Sequence, residues 1–529
     1  MNAAESLLQR TQLATRPRSI SSRIVDCAPF LSEFLGSLLL AVVWNCTFVT
    51  SDVTFRCVIL GMSLLVATCA FAPISGAHFN PAVSFAVALA GSADWSITIL
   101  YMVMQLFGSC AGIGISLLMF GKAPQDELGL HHSGFNDGAI FSVEFVYTGL
   151  LCLTYLNTVI SRTVNPVTHG NQFFAVAMGF AMVAAVATAG GISGAVFNPA
   201  LAVAVMLEQY PSNIWLLLEY IVAHGWGAGF AAVAFRILRP AEHEKYEKWL
   251  QFMETERFAG FSAAQIFSEA IGSWIFVFTA SVSVLYGSGC LFRAWTIGST
   301  IIAMHYSVAD ISGGYFNPVV TLSVLMSWRK HCSILQGLVY IVTQCLSGCV
   351  ASFLAFSINS SAARARAKEE LTIGAVRVAA VETFFMVVVC LAVLATSTSK
   401  GINTQLHQNY YHGIAYGFAY IGGGAATLKV TGGALLPSTA IIVGSAVQHV
   451  QGLGGHAARV LTSEIASAIL AAIIFRLTHF NEYEDSADDD MEASVGEHSR
   501  LTAHETTKST WTSMFYLGAR TLNKQPTTL

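Results

Sequence analysis

The chain runs to 529 residues, 54% of them hydrophobic and 11% charged, with a mean hydropathy of +0.59 and a formal net charge of −4. An ordinary soluble core cannot hide that much apolar surface, and the charge balance gives no sign of a nucleic-acid partner. The composition predicts an all-α polytopic membrane protein whose main partner is the lipid bilayer.

Residues 1–26 form a polar N-terminal arm, with no signal-peptide pattern ahead of the first full-length apolar run. Apolar runs follow near 28–50, 55–74, 96–120, 138–160, 172–191 and 213–238. Each has about 20 residues, enough to cross a hydrocarbon layer of roughly 30 Å. A charged linker, 240–260, separates them from a second series near 262–286, 293–309, 332–357, 375–397, 411–428 and 456–478. The expected total is twelve spans, with four shorter apolar pieces after Asn80, Asn198, Asn317 and Leu436. Residues 480–529 read as an acidic, disordered tail. The eleven cysteines include no CxxC pair and fall mostly inside the spans, so they read as small packing residues, with no metal site and no cofactor implied.

The chain is written four times. "ISGAHFNPAVS" (74–84), "ISGAVFNPALA" (192–202), "ISGGYFNPVVT" (311–321) and "TGGALLPSTAI" (431–441) recur at the same place in successive units. Upstream, "SEFLGS", "VEFVYTG", "SEAIGS" and "VETFF" each put one glutamate near the start of an apolar run: Glu33, Glu144, Glu269 and Glu382. Each unit holds three spans plus one short piece. Three is odd, so consecutive units enter the membrane from opposite sides, and the chain becomes two inverted pairs, 27–239 and 261–479. Both pairs then share one orientation, with both termini and the linker on one side. Arg10, Arg16, Arg18 and Arg23 of the arm and the basic residues of 236–257 assign that side to the cytoplasm, although the expected outer loop 358–377 also carries Arg364, Arg366, Lys368 and Arg377.

Asn is a favoured helix cap and Pro a favoured first helical residue, so each Asn-Pro pair starts a short helix. At membrane depth, irregular backbone survives only where it is buried in protein or lines a wet cavity. Two inverted half-helices that meet at the midplane would aim their positive dipole ends and their Asn amides at one spot. Such a spot holds a neutral polar molecule and repels cations. The constriction motifs are therefore Asn80-Pro81-Ala82, Asn198-Pro199-Ala200, Asn317-Pro318-Val319 and the degenerate Leu436-Pro437-Ser438. Leu436 can neither cap a helix nor donate a hydrogen bond, which leaves the second pair short of one orienting amide.

At these residues the sequence resembles the aquaporin, or major intrinsic protein, family twice over, across 28–238 and 262–478. The segment "SGAVFNPALAVAV" further resembles the unorthodox superaquaporins, which carry Leu where most members carry Arg. The resemblance implies two six-helix barrels, each with two re-entrant half-helices, and passive diffusion of water or small uncharged solutes such as glycerol, urea or hydrogen peroxide through the first, without enzymatic chemistry; the second, short of one amide, is expected to conduct poorly, to conduct something less polar, or to serve as a packing partner. It implies filter positions Leu60, Val186, Ala195 and Leu201 in the first copy, and Ile297, Gly424, Gly433 and Thr439 in the second. Neither set contains an arginine or an aromatic partner for one. It also implies that the four glutamates buttress the re-entrant loops, and that two chains could pair as a homodimer of four barrels.

Gln105, His224, Gln344 and Glu464 occupy matching places in the four units and read as polar contacts between helices or to the loops. Gly108 with Gly112, and Gly225 with Gly229, fit close helix crossings. The rival readings are a gradient-coupled secondary transporter, for which inverted repeats are equally natural, and a non-conducting structural membrane protein.

Overall fold

A computed structural model describes residues 20–50, 55–121, 135–165, 171–209, 213–243, 261–286, 290–329, 331–359, 375–398, 411–427, 453–480 and 482–483. The motif Leu436-Pro437-Ser438, the filter positions Gly433 and Thr439, the first nineteen residues of the arm, most of the linker and nearly all of the tail lie outside these. The chain divides into a unit through Thr478, which holds every long helix, and a short unit from His479 onward.

In chain order the helices are α1 (Ile20–Thr50), α2 (Arg56–Ser75), α3 (Pro81–Leu89), α4 (Trp95–Phe120), α5 (Asp137–Tyr155), α6 (Phe174–Ser193), α7 (Pro199–Gln209) and α8 (Ile214–Leu238). The second half adds α9 (Ala263–Tyr286), α10 (Cys290–Ser312), α11 (Pro318–Met326), α12 (Ile334–Ser357), α13 (Ala375–Thr396), α14 (His412–Ala426) and α15 (Leu453–Thr478). Polar caps set several starts: Asn136 accepts from the Ala139 amide, Asn213 from Leu216 and Ser333 from Gln336. Among the described residues nine helices are long and apolar enough to span a bilayer. The expected spans near 293–309, 411–428 and 456–478 are helical but are not among the nine. Within α10 lie Arg293, His305 and Asp310, and the described part of α14 has only 15 residues.

The packing repeats from one half to the next. In the first half α1 lies along α4, α5 along α8, and α2 along α6; in the second, α9 pairs with α12, α13 with α15, and α10 with α14. Glycines allow the closest approaches. A Cβ on Gly61 would fall 2.6 Å from the Gly179 carbonyl, and one on Gly298 would fall 2.4 Å from that of Gly417. Gly108 and Gly112 meet the Phe34 and Leu38 carbonyls of α1, as expected for a close crossing. Gly225 and Gly229 do not act this way: both face open space, and Gly227 between them makes the contact, against the Phe145 carbonyl of α5. The helix turns by about 100° per residue, so the four-residue spacing was legible while its face was not.

The halves join through α6 and α10. Ala177, Phe180, Ile302, Tyr306 and Ile421 form one buried cluster, and Tyr147 donates to Thr279 at 3.1 Å. After α8, Arg239 is buried and reaches Asn157 at 2.8 Å, the Ser307 carbonyl at 3.2 Å and Asp310 at 2.8 and 3.0 Å. Next to it Glu242 accepts from Ser161 Oγ at 2.6 Å, the Arg162 amide at 3.0 Å and Thr163 Oγ1 at 2.8 Å. Burial pushes the Glu242 carboxyl up, but these bonds outweigh it and hold the group below its usual range.

Candidate functional site

The backbone before each short helix is bent back by residues with left-handed φ. Ala77, Phe79, Ala195, Phe197 and Phe316 have φ between 50° and 59°, a conformation that costs energy for a side chain larger than glycine. Buried glutamates hold it in place. Glu33 accepts from Ser75 Oγ at 2.6 Å and from the amides of His78 and Phe79 at 3.0 and 2.7 Å. Glu144 does the same for Ser193, Val196 and Phe197, and Glu269 for Ser312, Tyr315 and Phe316. Each carboxylate takes a fourth bond at 2.8 Å, from Gln105, His224 and Gln344 respectively. The matched polar residues are thus specific partners of the glutamates. In the fourth unit Glu382 is buried with Glu464 as its electrostatic neighbour, and the loop it would meet lies outside the described residues.

The rest of the "SE(F/A)(L/I)GS" pattern has a physical reading too. Gly36 and Gly272 clear the Phe79 and Phe316 rings, since a Cβ on either would sit 2.1 Å from the ring edge. Ser37 and Ser273 donate to the carbonyls of the same two phenylalanines at 3.2 Å.

Asn80 caps α3 by accepting from the Ala82 amide at 2.9 Å, with Pro81 opening the helix. Asn198 accepts from the Ala200 amide at 2.9 Å ahead of Pro199, and Asn317 accepts from the Val319 amide at 2.9 Å ahead of Pro318. In the first half the two loops lock across each other. The Asn80 amide donates to the Phe197 carbonyl at 2.8 Å, and that of Asn198 to the Phe79 carbonyl at 3.0 Å. Each amide keeps a second N–H for another acceptor.

Both asparagines line one cavity of about 40 Å³, together with His78, Leu60, Ala195 and Leu201. That volume admits roughly two or three waters. Val186, expected beside them, is buried on α6 but does not line it. Met178, Met182 and Trp44, none of them flagged from the sequence, do.

The second half differs at its centre. The Asn317 amide donates to the hydroxyl of Tyr420 at 2.9 Å, and Tyr416 donates to the Tyr315 carbonyl at 2.6 Å. Both tyrosines are fully buried on α14, 238 residues beyond Met178 and Met182. That spacing, the same as from Asn198 to Leu436, was a readable signal. Ile297 and Gly424, expected filter positions, are buried on α10 and α14. Among the described residues no group of three or more side chains could hold a metal ion.

The sequence pattern of the family described as major intrinsic protein matches residues 21–171, 159–262 and 256–451. The chain is 31% identical over 219 residues to Aquaporin NIP1-3 of Oryza sativa subsp. japonica, covering 40% of this chain and 73% of that protein. It is 30% identical over 253 residues to Aquaporin A of Dictyostelium discoideum, covering 44% and 85%. To the Glycerol uptake facilitator protein-like 6 of Lactiplantibacillus plantarum it is 29% identical over 222 residues, covering 40% and 97%. The chain belongs to the major intrinsic protein family, with the family pattern present in duplicate along one integral, multi-pass membrane polypeptide.

Proposed function

We propose that the first half, 27–239, is a conducting barrel for water and small uncharged solutes of the size of glycerol, urea or hydrogen peroxide, by passive facilitated diffusion. The observation that carries this reading is the convergence of Asn80 and Asn198 on one small cavity, each fixed by a bond to the opposite loop and each with an N–H left to donate. A neutral acceptor gains there what a cation cannot, since the amide donors and helix starts face it with positive ends. Leu60, Ala195 and Leu201 give the passage an apolar wall without a fixed cation.

The second half, 261–479, is the same architecture in a closed form. Twelve spans and four half-helices complete the plan, with the termini and the linker 240–260 in the cytoplasm. Tyr420 takes the bond that Asn317 would offer a permeant, and Leu436 offers none. In this reading the buried glutamates are structural: they neutralise loop amides and carry no protons across. Two chains side by side would bring four barrels together. The supporting test is stopped-flow flux in proteoliposomes. Flux of water or glycerol above bare lipid, unchanged when proton and sodium gradients are abolished, is expected; dependence on either gradient would move the protein to the transporter class.

A further inference from the structure

The first cavity contains a donor that the Asn-Pro motifs do not supply. Trp44 of α1 lines it beside Leu60 and Leu201, is only 2% exposed, and its indole Nε1–H has no acceptor among the described residues. Buried donors are nearly always paired, so an orphan on a ring that lines the passage marks a place where a passing molecule accepts. The ring is held firmly. It lies 4.5 Å from the Phe48 ring at a tilt of 47°, and the Arg56 guanidinium lies over Phe48, 4.3 Å from its ring centre, while Arg56 Nε donates to the Thr47 carbonyl at 3.2 Å. The three expected filter positions that line the cavity, Leu60, Ala195 and Leu201, offer only hydrocarbon side chains. The matching residue in the second half, by the spacing that carries Glu33 to Glu269 and Gly36 to Gly272, is Ala280, which has no donor.

We propose that Trp44 is a specificity-determining residue of the first pore, whose indole N–H hydrogen-bonds the hydroxyl or carbonyl oxygen of a small neutral organic solute as it passes to or from the asparagine pair. This rests on the conducting reading of the first barrel. Its consequence is differential. A water molecule that loses the Trp44 bond still bonds the next water in the file, whereas an organic solute filling the section has no water beside that oxygen and loses the interaction outright.

The test is glycerol and water flux through proteoliposomes of the full chain, wild type against Trp44→Phe, which keeps an aromatic ring and removes the donor. The glycerol-to-water flux ratio should fall about two- to tenfold, the range of one net hydrogen bond. Should Trp44→Phe fail to insert, Trp44→His and Trp44→Met replace it as donor-keeping and donor-lacking variants, with the higher ratio expected for His. A wild type that conducts with an unchanged ratio in Trp44→Phe, or equal ratios in the His and Met variants, overturns the role of Trp44 alone. Wild-type flux no higher than bare lipid overturns the conducting reading, and this proposal with it.

Discussion

Asn317 donates its side-chain amide to the hydroxyl of Tyr420 at 2.9 Å, so the donor that Asn80 shares between a loop carbonyl and a cavity in the first half is occupied by a side chain in the second. Both partners are buried, and Phe276 packs against the Tyr420 ring at 5.5 Å. Tyr420→Met, which installs the residue found at the matching place in the first half, is expected to raise flux above that of the parent. Measured in an Asn198→Asp background, where the first barrel is impaired, the rise is read from the second barrel alone. No rise in a folded, inserted variant would place the block elsewhere.

Gly36 and Gly225 make a matched pair of opposite outcomes. A Cβ on Gly36 would fall within 2.1 Å of the Phe79 ring, and Phe79 is pinned by Glu33 and Ser37, so it cannot move aside cheaply. Gly36→Ala should destabilise by about 1–3 kcal/mol. Gly225→Ala meets nothing within 4 Å and replaces a poor helix former with a good one, so it should be neutral or stabilising by up to about 1 kcal/mol. Thermal unfolding of the purified protein in detergent checks both.

His224 and Gln105 do the same work in different chemistry, each reaching its buried glutamate at 2.8 Å. His224→Gln should therefore cost less than about 1 kcal/mol, because one side-chain N–H partner of the glutamate replaces another. Glu144→Gln replaces the carboxylate that accepts from the Val196 and Phe197 amides with a half-donor and should cost about 1–3 kcal/mol. The same unfolding measurement ranks them; a larger loss for His224→Gln would show that the imidazole has a role beyond the bond.

Glu242 ties Ser161, Arg162 and Thr163 to the end of α8, and its carboxyl is held below the usual range. A group depressed on folding stabilises above its ordinary value and loses that contribution as pH falls through the lowered one. The Arg162 and Thr163 amides, which donate to Glu242, should thus stay protected from hydrogen exchange, after correction for intrinsic rates, from neutral pH down through the ordinary carboxylate range, and lose protection only as pH falls through the lowered value. Glu242→Gln should weaken protection across the whole range.

Much of this fold was legible because the membrane forces backbone polarity to be resolved locally. Asn80, Asn198 and Asn317 cap their helices, as Asn ahead of Pro does, and Glu33, Glu144 and Glu269 accept from loop amides ahead of those helices, the role that the family resemblance implied. Repetition made weak local signals strong. What escaped were relations across the barrel. Met178, Met182 and Trp44 read as ordinary apolar residues, since nothing in their own helices marks which face meets the lumen. The repeat spacing marked Tyr420 as the counterpart of Met182, but its bond to Asn317 is a relation across the barrel that the spacing does not carry. Gly227, not Gly225 or Gly229, meets α5, because rotation of α8 about its axis is set by packing partners rather than by its own pattern.

The account's central claim is that the two halves share a plan while only the first conducts. Stopped-flow water and glycerol flux through proteoliposomes holding equal amounts of wild type, Asn198→Asp and Asn317→Asp tests it most directly. The account predicts that Asn198→Asp brings flux close to that of bare lipid and that Asn317→Asp leaves it unchanged. Loss of flux in Asn317→Asp with flux preserved in Asn198→Asp, both proteins being folded and inserted, would contradict it.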